Sequence, residues 1–299
     1  MITIFTPTYN RAYTLLKLYE SLLKQTNKNF EWIVVDDGSK DNTEQLCKTW
    51  INNCKDFKIT YTKQENQGKH IAINVGVKLA KGELFFIVDS DDFLTDDAIE
   101  QVTFYYEQIK DNNNFAGVCG MRAYHNGKRI GGNLSFETMD CSTIDIRNKY
   151  KIKGDMAEAF KTDILKKYPF PKFAGEKFLS ECAVWDQIGE KYLMRFFNRN
   201  IYFTEYLSDG LSQIKHTSFK YPKGCMYLSL IKINSSKICL KNKILYILFY
   251  WNAFFSCKEI NEAEKKLLRS NFFMKLFCPV GFVLHFLLIA VYKIKIEYN

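Results

Sequence analysis

The chain has 299 residues, enough for one large domain or two moderate ones. Its content of 47% hydrophobic and 16% aromatic residues excludes a disordered chain. The formal net charge of +9 is unevenly distributed along the chain: residues 191–299 contain 17 basic and 6 acidic residues, whereas residues 1–190 contain 25 basic and 27 acidic residues. A basic C-terminal part on a nearly neutral body indicates contact with an anionic surface, and since no nucleic-acid-binding motif accompanies it, we expect a membrane surface and no nucleic acid.

Strand-like and helix-like patterns alternate over the first third of the chain. The predicted strands are 2–6, 30–36, 57–64 and 82–92, and the predicted helices between them are 12–25, 42–52 and 68–80. This alternation predicts βαβ units in a parallel sheet that is covered on both faces. Ligands of such sheets bind at the carboxyl ends of the strands. Polar clusters at Thr6–Asn10, Asp36–Ser39 and Asp89–Asp92 follow three of the strands, so we expect them to meet in one crevice.

Two explanations compete for the acidic residues after the apolar run LFFIV. Asp89, Asp91 and Asp92 suit a site for a divalent metal and a phosphate-bearing ligand, or alternatively a charged cap and loop. The cap explanation fits Asp96 and Asp97 better, because they precede AIEQVTFYY, which is predicted to begin a helix.

The pattern is weaker beyond residue 115. The sequence predicts a strand and a glycine-rich turn over 115–132, and helices over 155–168 and 181–198. From about residue 225 the chain is Lys-rich and strongly apolar, with apolar stretches at 243–255 and 276–292. The second stretch is shorter than the ~20 residues that a spanning helix needs. We therefore predict an interfacial or re-entrant anchor, with a buried pair of terminal helices as the alternative.

Nine cysteines are scattered and form no CxxC pair, which favours free thiols in a reducing cytosol over a disulfide framework or a zinc site. The first residues, MITIFTPTYN, lack a basic n-region and begin a strand pattern at once, so no signal peptide is expected. Both observations predict a chain that starts in the cytoplasm.

Three motifs occur in order, each at the end of a predicted strand: TPTYNR at 6–11, VVDDGS at 34–39 and VDSDD at 88–92. Together they resemble the nucleotide-sugar-binding half of family 2 glycosyltransferases, firmly over residues 1–110 and more loosely over 111–215. The resemblance implies an α/β fold of the GT-A type, a Rossmann-like, mostly parallel sheet flanked by helices, in which 1–110 binds the nucleotide-sugar and 111–222 binds the acceptor. The basic and apolar residues of 223–299 add a predicted helical, membrane-associating C-terminal extension.

The resemblance also implies the donor site. The residues expected to bind the nucleotide-sugar are Thr6, Pro7, Tyr9, Asp37, Lys69, His70, Asn74, Asp89 and Ser90. Asp89 and Asp91 form the DxD pattern, which implies Mn²⁺ or Mg²⁺ bridging the diphosphate. Many family members carry Arg where this chain has Ile73, so Lys69 and His70 are the candidate replacements at the diphosphate or the base. The alternatives are a solvated Lys69, a turn or cap role for Asp37 and a loop contact for Asn74.

Direct displacement at an anomeric carbon needs a carboxylate that takes the proton of the acceptor hydroxyl. The family often places this base in a Glu-Asp pair, but here Glu181 is followed by Cys182. Glu181 is the first candidate and Asp186 the second, with a helix cap or an exposed helix carboxylate as the alternative. Asp155 and Trp185 are candidates for contact with the acceptor or donor sugar, although core packing explains Trp185 equally well.

We therefore expect an inverting, metal-dependent glycosyltransferase at the cytoplasmic side of the bacterial plasma membrane. It would move a sugar from a nucleotide-sugar, with a UDP-sugar as first candidate, to a lipid-linked saccharide acceptor in capsule, exopolysaccharide or O-antigen synthesis. One alternative is a sugar nucleotidyltransferase, against which the glycine-free TPTYNRAY counts. The other is a non-catalytic binding protein on a degenerate GT-A fold, which the broken Glu-Asp pair leaves open.

Overall fold

The structure is a computed structural model that describes residues 1–132, 134–204 and 216–292 of the chain. The end of the predicted membrane-associating part, residues 293–299, therefore lies outside the described residues.

The first half of the chain forms a parallel sheet with helices between its strands, as the sequence predicts. The strands are β1 (Ile2–Thr8), β2 (Phe30–Asp36), β3 (Lys58–Lys63) and β4 (Leu84–Ile87), and the helices are α1 (Ala12–Leu23), α2 (Thr43–Asn53) and α3 (Lys69–Leu79). The strands are parallel in the order β3-β2-β1-β4. Every residue of β1, β2 and β4 is buried, as expected of central parallel strands that are covered on both faces.

The second half adds strands of both directions to the same sheet. Its strands are β5 (Phe93–Leu94), β6 (Phe115–Tyr124), β7 (Thr138–Cys141), β8 (Met156–Lys161) and β9 (Leu193–Thr204), and its helices are α4 (Ala98–Glu107), α5 (Thr143–Asn148), α6 (Thr162–Leu165) and α7 (Cys182–Lys191). The order continues β4-β8-β6-β9-β5, and β7 pairs with β9. β8 is antiparallel to both its neighbours, whereas β9 is parallel to β6. The sheet is therefore mixed: its first four strands are parallel as expected, and its second half combines antiparallel pairs with the parallel pair β6-β9.

Two predicted helices are confirmed only in part, over Thr162–Leu165 and Cys182–Lys191. Residues 156–161 form β8 rather than part of a helix over 155–168, although MAEAFK is rich in helix formers. Hydrogen-bonding partners on both sides, β4 and β6, outweigh that local preference. The helix predicted over 181–198 ends at Lys191, and the aromatic run that follows joins β6, β5 and β7 as β9.

The C-terminal part is helical. Its helices are α8 (Thr217–Lys220), α9 (Pro222–Asn234), α10 (Leu240–Ser256), α11 (Glu262–Leu267), α12 (Phe272–Lys275) and α13 (Cys278–Tyr292). α10 packs against α9 and α13, and α9 packs against α7. Phe5 of β1 and Met274 of α12 belong to one hydrophobic cluster, so these helices share a core with the sheet.

α13 is buried on one side only. Gly281 and His285 pack against α10, where the His285 ring shares a hydrogen bond with the Asn252 side chain. Val283, Leu287 and Val291 are exposed, the last by 70%. Within the described residues, no helix combines the length and apolar character that crossing a membrane would require. The alternative prediction, a buried pair of terminal helices, thus describes the face of α13 that packs on α10. Association of the exposed face with a membrane stays a prediction.

Candidate active site

A cavity of about 730 Å³ opens where the carboxyl ends of β1, β2 and β4 meet. The three polar clusters that follow these strands all contribute to its wall, as expected for neighbouring parallel strands. The predicted site residues that line it are Pro7, Tyr9, Asp37, Lys69, His70, Asp89, Ser90, Asp91, Asp155, Glu181, Trp185 and Asp186. The structure therefore brings most of the predicted donor residues and both candidate bases into one cavity.

Thr6 and Asn74 are not among the residues that line this cavity. The buried Thr6 hydroxyl accepts a hydrogen bond from the indole of Trp32 at 2.9 Å. The Asn74 amide donates to the carbonyl of Phe170 at 2.8 Å and accepts from the Phe170 N–H at 2.9 Å. Both side chains thus make structural hydrogen bonds, which for Asn74 is the loop alternative, and their contact with the nucleotide stays a prediction.

The Asp37 carboxylate holds the turn that leads into α3. It accepts hydrogen bonds from the Gln64 amide and the Gln67 N–H, both at 2.8 Å, and from the Gly68 N–H at 2.7 Å. The neighbouring Asp36 accepts from the Ser39 N–H. Asp37 thus has a turn role and also lies in the cavity wall, where its contact with a nucleotide stays a prediction.

Lys69 joins the two halves of the site. Its ammonium lies 2.6 Å from an Asp89 carboxylate oxygen and 2.8 Å from a Glu181 oxygen. Burial disfavours the ammonium, but these two carboxylates outweigh burial and raise the pKa of Lys69. Lys69 is therefore a permanently charged bridge between the DxD pattern and the candidate base, rather than a solvated side chain.

Arg122, which lies on β6, was not among the predicted site residues. Its guanidinium is 3.7 Å from Asp89 and 3.4 Å from Asp92, and it stacks on the Tyr202 ring at 3.9 Å from the centroid. The Asp89 N–H donates to the Tyr202 hydroxyl at 2.9 Å. The sequence did contain a sign of this role: Arg122 lies within the otherwise apolar strand FAGVCGMRAY, and a buried arginine is nearly always paired with an acidic group.

Burial and mutual repulsion oppose ionisation within the acidic cluster. Burial raises the pKa of Asp89, but Lys69 and Arg122 outweigh it and hold the pKa below its usual value. Burial and the charge of Asp89 raise the pKa of Asp91, and they raise the pKa of Asp92 to about 7 although Arg122 opposes this. Additional positive charge near Asp91 and Asp92 would relieve this repulsion.

The residues present fit a divalent cation that also binds phosphate. Asp89 and Asp91 supply hard carboxylate oxygens, and Asp91 forms no salt bridge with a described residue. Over the described ranges, no three His, Cys, Asp or Glu side chains are grouped as a complete metal site. Mg²⁺ is commonly held by one or two carboxylates together with substrate phosphates and water, so two carboxylates suffice for such a cation.

Glu181 and Asp186 differ in availability. Glu181 immediately precedes α7, and its side chain is 32% exposed and lines the cavity. Asp186 is 4% exposed and forms a salt bridge with Lys232 of α9; burial raises the pKa of Asp186 and Lys232 opposes that rise. Glu181 is therefore the more available of the two candidate carboxylates, and Asp186 also joins α7 to α9. Which of them acts as the base stays a prediction.

His70 and Trp185 are both largely buried. His70 is 2% exposed, its Nδ1 has no hydrogen-bond partner among the described residues, and burial lowers the pKa of His70 to about 4. A neutral imidazole brings no positive charge to a diphosphate, so the structure favours Lys69 for that role, and contact of His70 with the nucleotide stays a prediction. Trp185 packs on the rings of Phe160 and Phe170, which is the core-packing alternative. Asp155 lies in the cavity wall just before β8.

The family model for glycosyl transferase family 2 matches residues 3–163, which is more than half of the chain. Among curated proteins, the glycosyltransferase GlyG of Streptococcus pneumoniae is 36% identical over 137 residues, covering 46% of this chain and 43% of GlyG. The chain thus spans less than half the length of that relative.

Solved structures of similar fold include S. aureus TarS in complex with UDP-GlcNAc, with a TM-score of 0.62 at 18% identity over 94% of this chain and 79% of that one. A mannosyltransferase from Pyrobaculum calidifontis, in complex with GDP-Man and Mn²⁺, has a TM-score of 0.56 at 16% identity over 95% of this chain and 79% of that one. At these identities the likeness concerns the fold, a mixed α/β sheet flanked by helices as in GT-A glycosyltransferases.

Proposed function

This chain belongs to glycosyl transferase family 2, and we propose that it is an inverting, metal-dependent glycosyltransferase. The observation that carries the proposal is the meeting of Asp89, Asp91, Lys69 and Glu181 in one cavity. The first two carboxylates suit the donor diphosphate and its cation, and the last suits deprotonation of an acceptor.

The donor is a nucleotide-sugar. Tyr9 is 45% exposed at the cavity and offers an aromatic face to a base, and Arg11 with Lys69 and Arg122 offers positive charge to a diphosphate. UDP is the first nucleotide to test, because the structurally similar TarS is seen with UDP-GlcNAc. GDP is the second, because the similar mannosyltransferase is seen with GDP-Man.

Asp91, with Asp89, would hold Mn²⁺ or Mg²⁺. When bound, the cation supplies positive charge beside the leaving diphosphate. Arg122 lies 3.7 Å from the Asp89 carboxylate and the Tyr202 hydroxyl accepts the Asp89 N–H, so both contacts help to orient Asp89.

Glu181 takes the proton of the acceptor hydroxyl as the hydroxyl oxygen attacks the anomeric carbon and the nucleoside diphosphate leaves. A single displacement of this kind inverts the anomeric configuration. Lys69 keeps the Glu181 carboxylate beside Asp89, and therefore close to the donor, as such an attack requires.

The acceptor is a lipid-linked saccharide of a bacterial capsule, exopolysaccharide or O-antigen, at the cytoplasmic side of the plasma membrane. Two features support a membrane location. Residues 216–292 hold 11 basic and 3 acidic residues, and α12 and α13 expose large apolar side chains such as Phe272 and Val283. On a membrane surface, the protein would receive an acceptor whose lipid stays in the bilayer.

Calorimetric titration with UDP tests the donor site, with Mn²⁺, with Mg²⁺ and with chelator present. We expect metal-dependent binding in the wild type, and a loss of at least about tenfold in affinity in Asp91→Ala, which is about 1.4 kcal/mol. Asp96→Ala is the matched control, because Asp96 lies outside the cavity wall. Failure of UDP, GDP and dTDP to bind under every metal condition would refute the proposal.

A further inference from the structure

Glu181 lies at the end of a segment, residues 173–181, that forms neither helix nor strand. Lys177, Phe178, Leu179, Ser180 and Glu181 of this segment line the cavity. Since the segment has no regular structure of its own, contacts from other parts of the chain must fix its position, and with it the position of Glu181.

Glu176 attaches the segment to the first turn of α9. Its two carboxylate oxygens accept the backbone N–H groups of Lys223 at 2.7 Å and of Gly224 at 2.8 Å. These groups are among the unpaired donors of a helix N-terminus, where a negative charge is also favoured by the helix dipole. The helix start and the segment are therefore joined through buried atoms.

Lys223 and Glu264 attach the segment a second time. The Lys223 ammonium donates to the Ala174 carbonyl at 3.1 Å and lies 2.9 Å from Glu264 of α11. Glu264 also accepts the Ala174 N–H at 2.8 Å. Lys223 is 8% and Glu264 3% exposed, so both charges depend on each other and on Ala174 for hydrogen bonds.

On its other side the segment lies directly against the start of α3. A Cβ on Gly68 would come within 2.0 Å of the Lys177 carbonyl oxygen. The next residue, Lys69, contacts Glu181. The segment is thus held between the donor side of the cavity and the C-terminal helices.

We propose that Glu176, Lys223 and Glu264, together called the clamp, are positioning residues that hold Glu181 at the cavity. The inference rests on the proposed role of Glu181 as base. Removing one member leaves a buried charge without its partner, so the segment moves or loosens and Glu181 loses its place beside the donor. The C-terminal helices would then contribute to sugar transfer by positioning Glu181, in addition to any contact with a membrane.

Cys182 reports the position of the segment, because it follows Glu181, is exposed and lines the cavity. The test compares its alkylation by iodoacetamide, followed by peptide mass mapping, in wild type, Lys223→Met and Glu264→Gln. We expect about a threefold or larger change in the labelling rate of both variants, since a loosened segment samples other positions. UDP affinity is expected to stay within about twofold, because none of the three clamp residues lines the cavity.

Lys265→Met is the control, because Lys265 lies next to Glu264 on α11 but its side chain is 60% exposed and pairs only with the surface Glu262 among the contacts described. If Cys182 is labelled in Lys223→Met and Glu264→Gln at the same rate as in this control, the proposed role of the clamp is wrong. Should Lys223→Met fail to fold, Glu264→Gln still tests the clamp, because the amide oxygen of glutamine can accept the Ala174 N–H as the carboxylate does. If wild type binds no nucleotide, the proposed function fails, whereas the labelling comparison still tests the clamp.

Discussion

At the scale of single residues, three carboxylates within four positions differ because their neighbours differ. Asp89 lies between Lys69 and Arg122, so its charged form is favoured. Asp92 is 4% exposed and shares Arg122 with Asp89, so burial and the like charge favour its neutral form. Asp91 forms no such salt bridge within the described part of the chain and keeps its oxygens available. The DxD spacing alone does not distinguish these environments.

The Asp92→Asn substitution tests this assignment through pH. The folded-state pKa of Asp92, about 7, lies above the ordinary value of 3.8, so folding favours its protonated form. That contribution to stability is complete below about pH 4 and is lost as pH rises through 7. The melting temperature of Asp92→Asn, which resembles the protonated form, should therefore rise relative to wild type between pH 5 and pH 8.

Melting curves in chelator over this pH range measure the difference. Asp96→Asn serves as control, since Asp96 lies outside the cavity wall, and its difference from wild type should not change with pH. A constant difference for Asp92→Asn as well would show that Asp92 is ionised throughout.

At the scale of elements, the start of α3 is where the donor half meets the acceptor half. Gly68 has a φ of +96° and precedes Lys69, the first residue of α3. Its N–H is held by Asp37, and its missing side chain allows the close approach of Lys177. Glycine is needed here both for its backbone angle and for the space.

Gly68→Ala and Gly127→Ala separate these two requirements. Gly127 also has a positive φ, of +79°, but no atom lies within 4 Å of an added Cβ. We expect Gly127→Ala to lower the free energy of unfolding by about 1 kcal/mol through backbone strain alone. Gly68→Ala should cost about 3 kcal/mol or more, because the Lys177 backbone must also move. Equal losses in urea unfolding would contradict the close approach.

At the scale of the whole molecule, charge and apolar exposure are concentrated in the same region. The large apolar side chains exposed on α12, α13 and the residues between them, here called the apolar face, are Phe272, Phe273, Leu276, Val280, Phe282, Val283, Phe286, Leu287, Val291 and Tyr292. An apolar face of this size is unfavourable in water and marks an interaction site. Basic residues of the same region, such as Lys275 and Arg269, complement an anionic bilayer.

Flotation with lipid vesicles tests this docking. We expect binding to vesicles that contain phosphatidylglycerol, weaker binding to phosphatidylcholine alone, and a decrease with added salt because screening weakens the charge attraction. The double variant Val283→Asp/Leu287→Asp should lose binding, whereas Phe104→Asp, at an exposed position on α4, should keep it. Retained binding in the double variant, or self-association in place of vesicle binding, would exclude the apolar face as a membrane contact.

Local patterns in the sequence were sufficient for the first four strands and the helices between them. Buried parallel strands are continuous apolar runs, and the residues after them share one edge of the sheet, so the meeting of the clusters that contain Asp37 and Asp89 could be predicted. The order of the three motifs along the chain was likewise sufficient to indicate the family.

Only the tertiary structure decided the rest, because it depends on partners that are distant in the chain. β8 is a strand since β4 and β6 lie on either side of it, against its local preference. Arg122 contacts Asp89, and Lys223 contacts Glu264, across separations that no local period records. Helix and strand signals repeat every few residues, whereas buried charges are placed by whichever cations and carboxylates the finished fold brings within hydrogen-bonding distance.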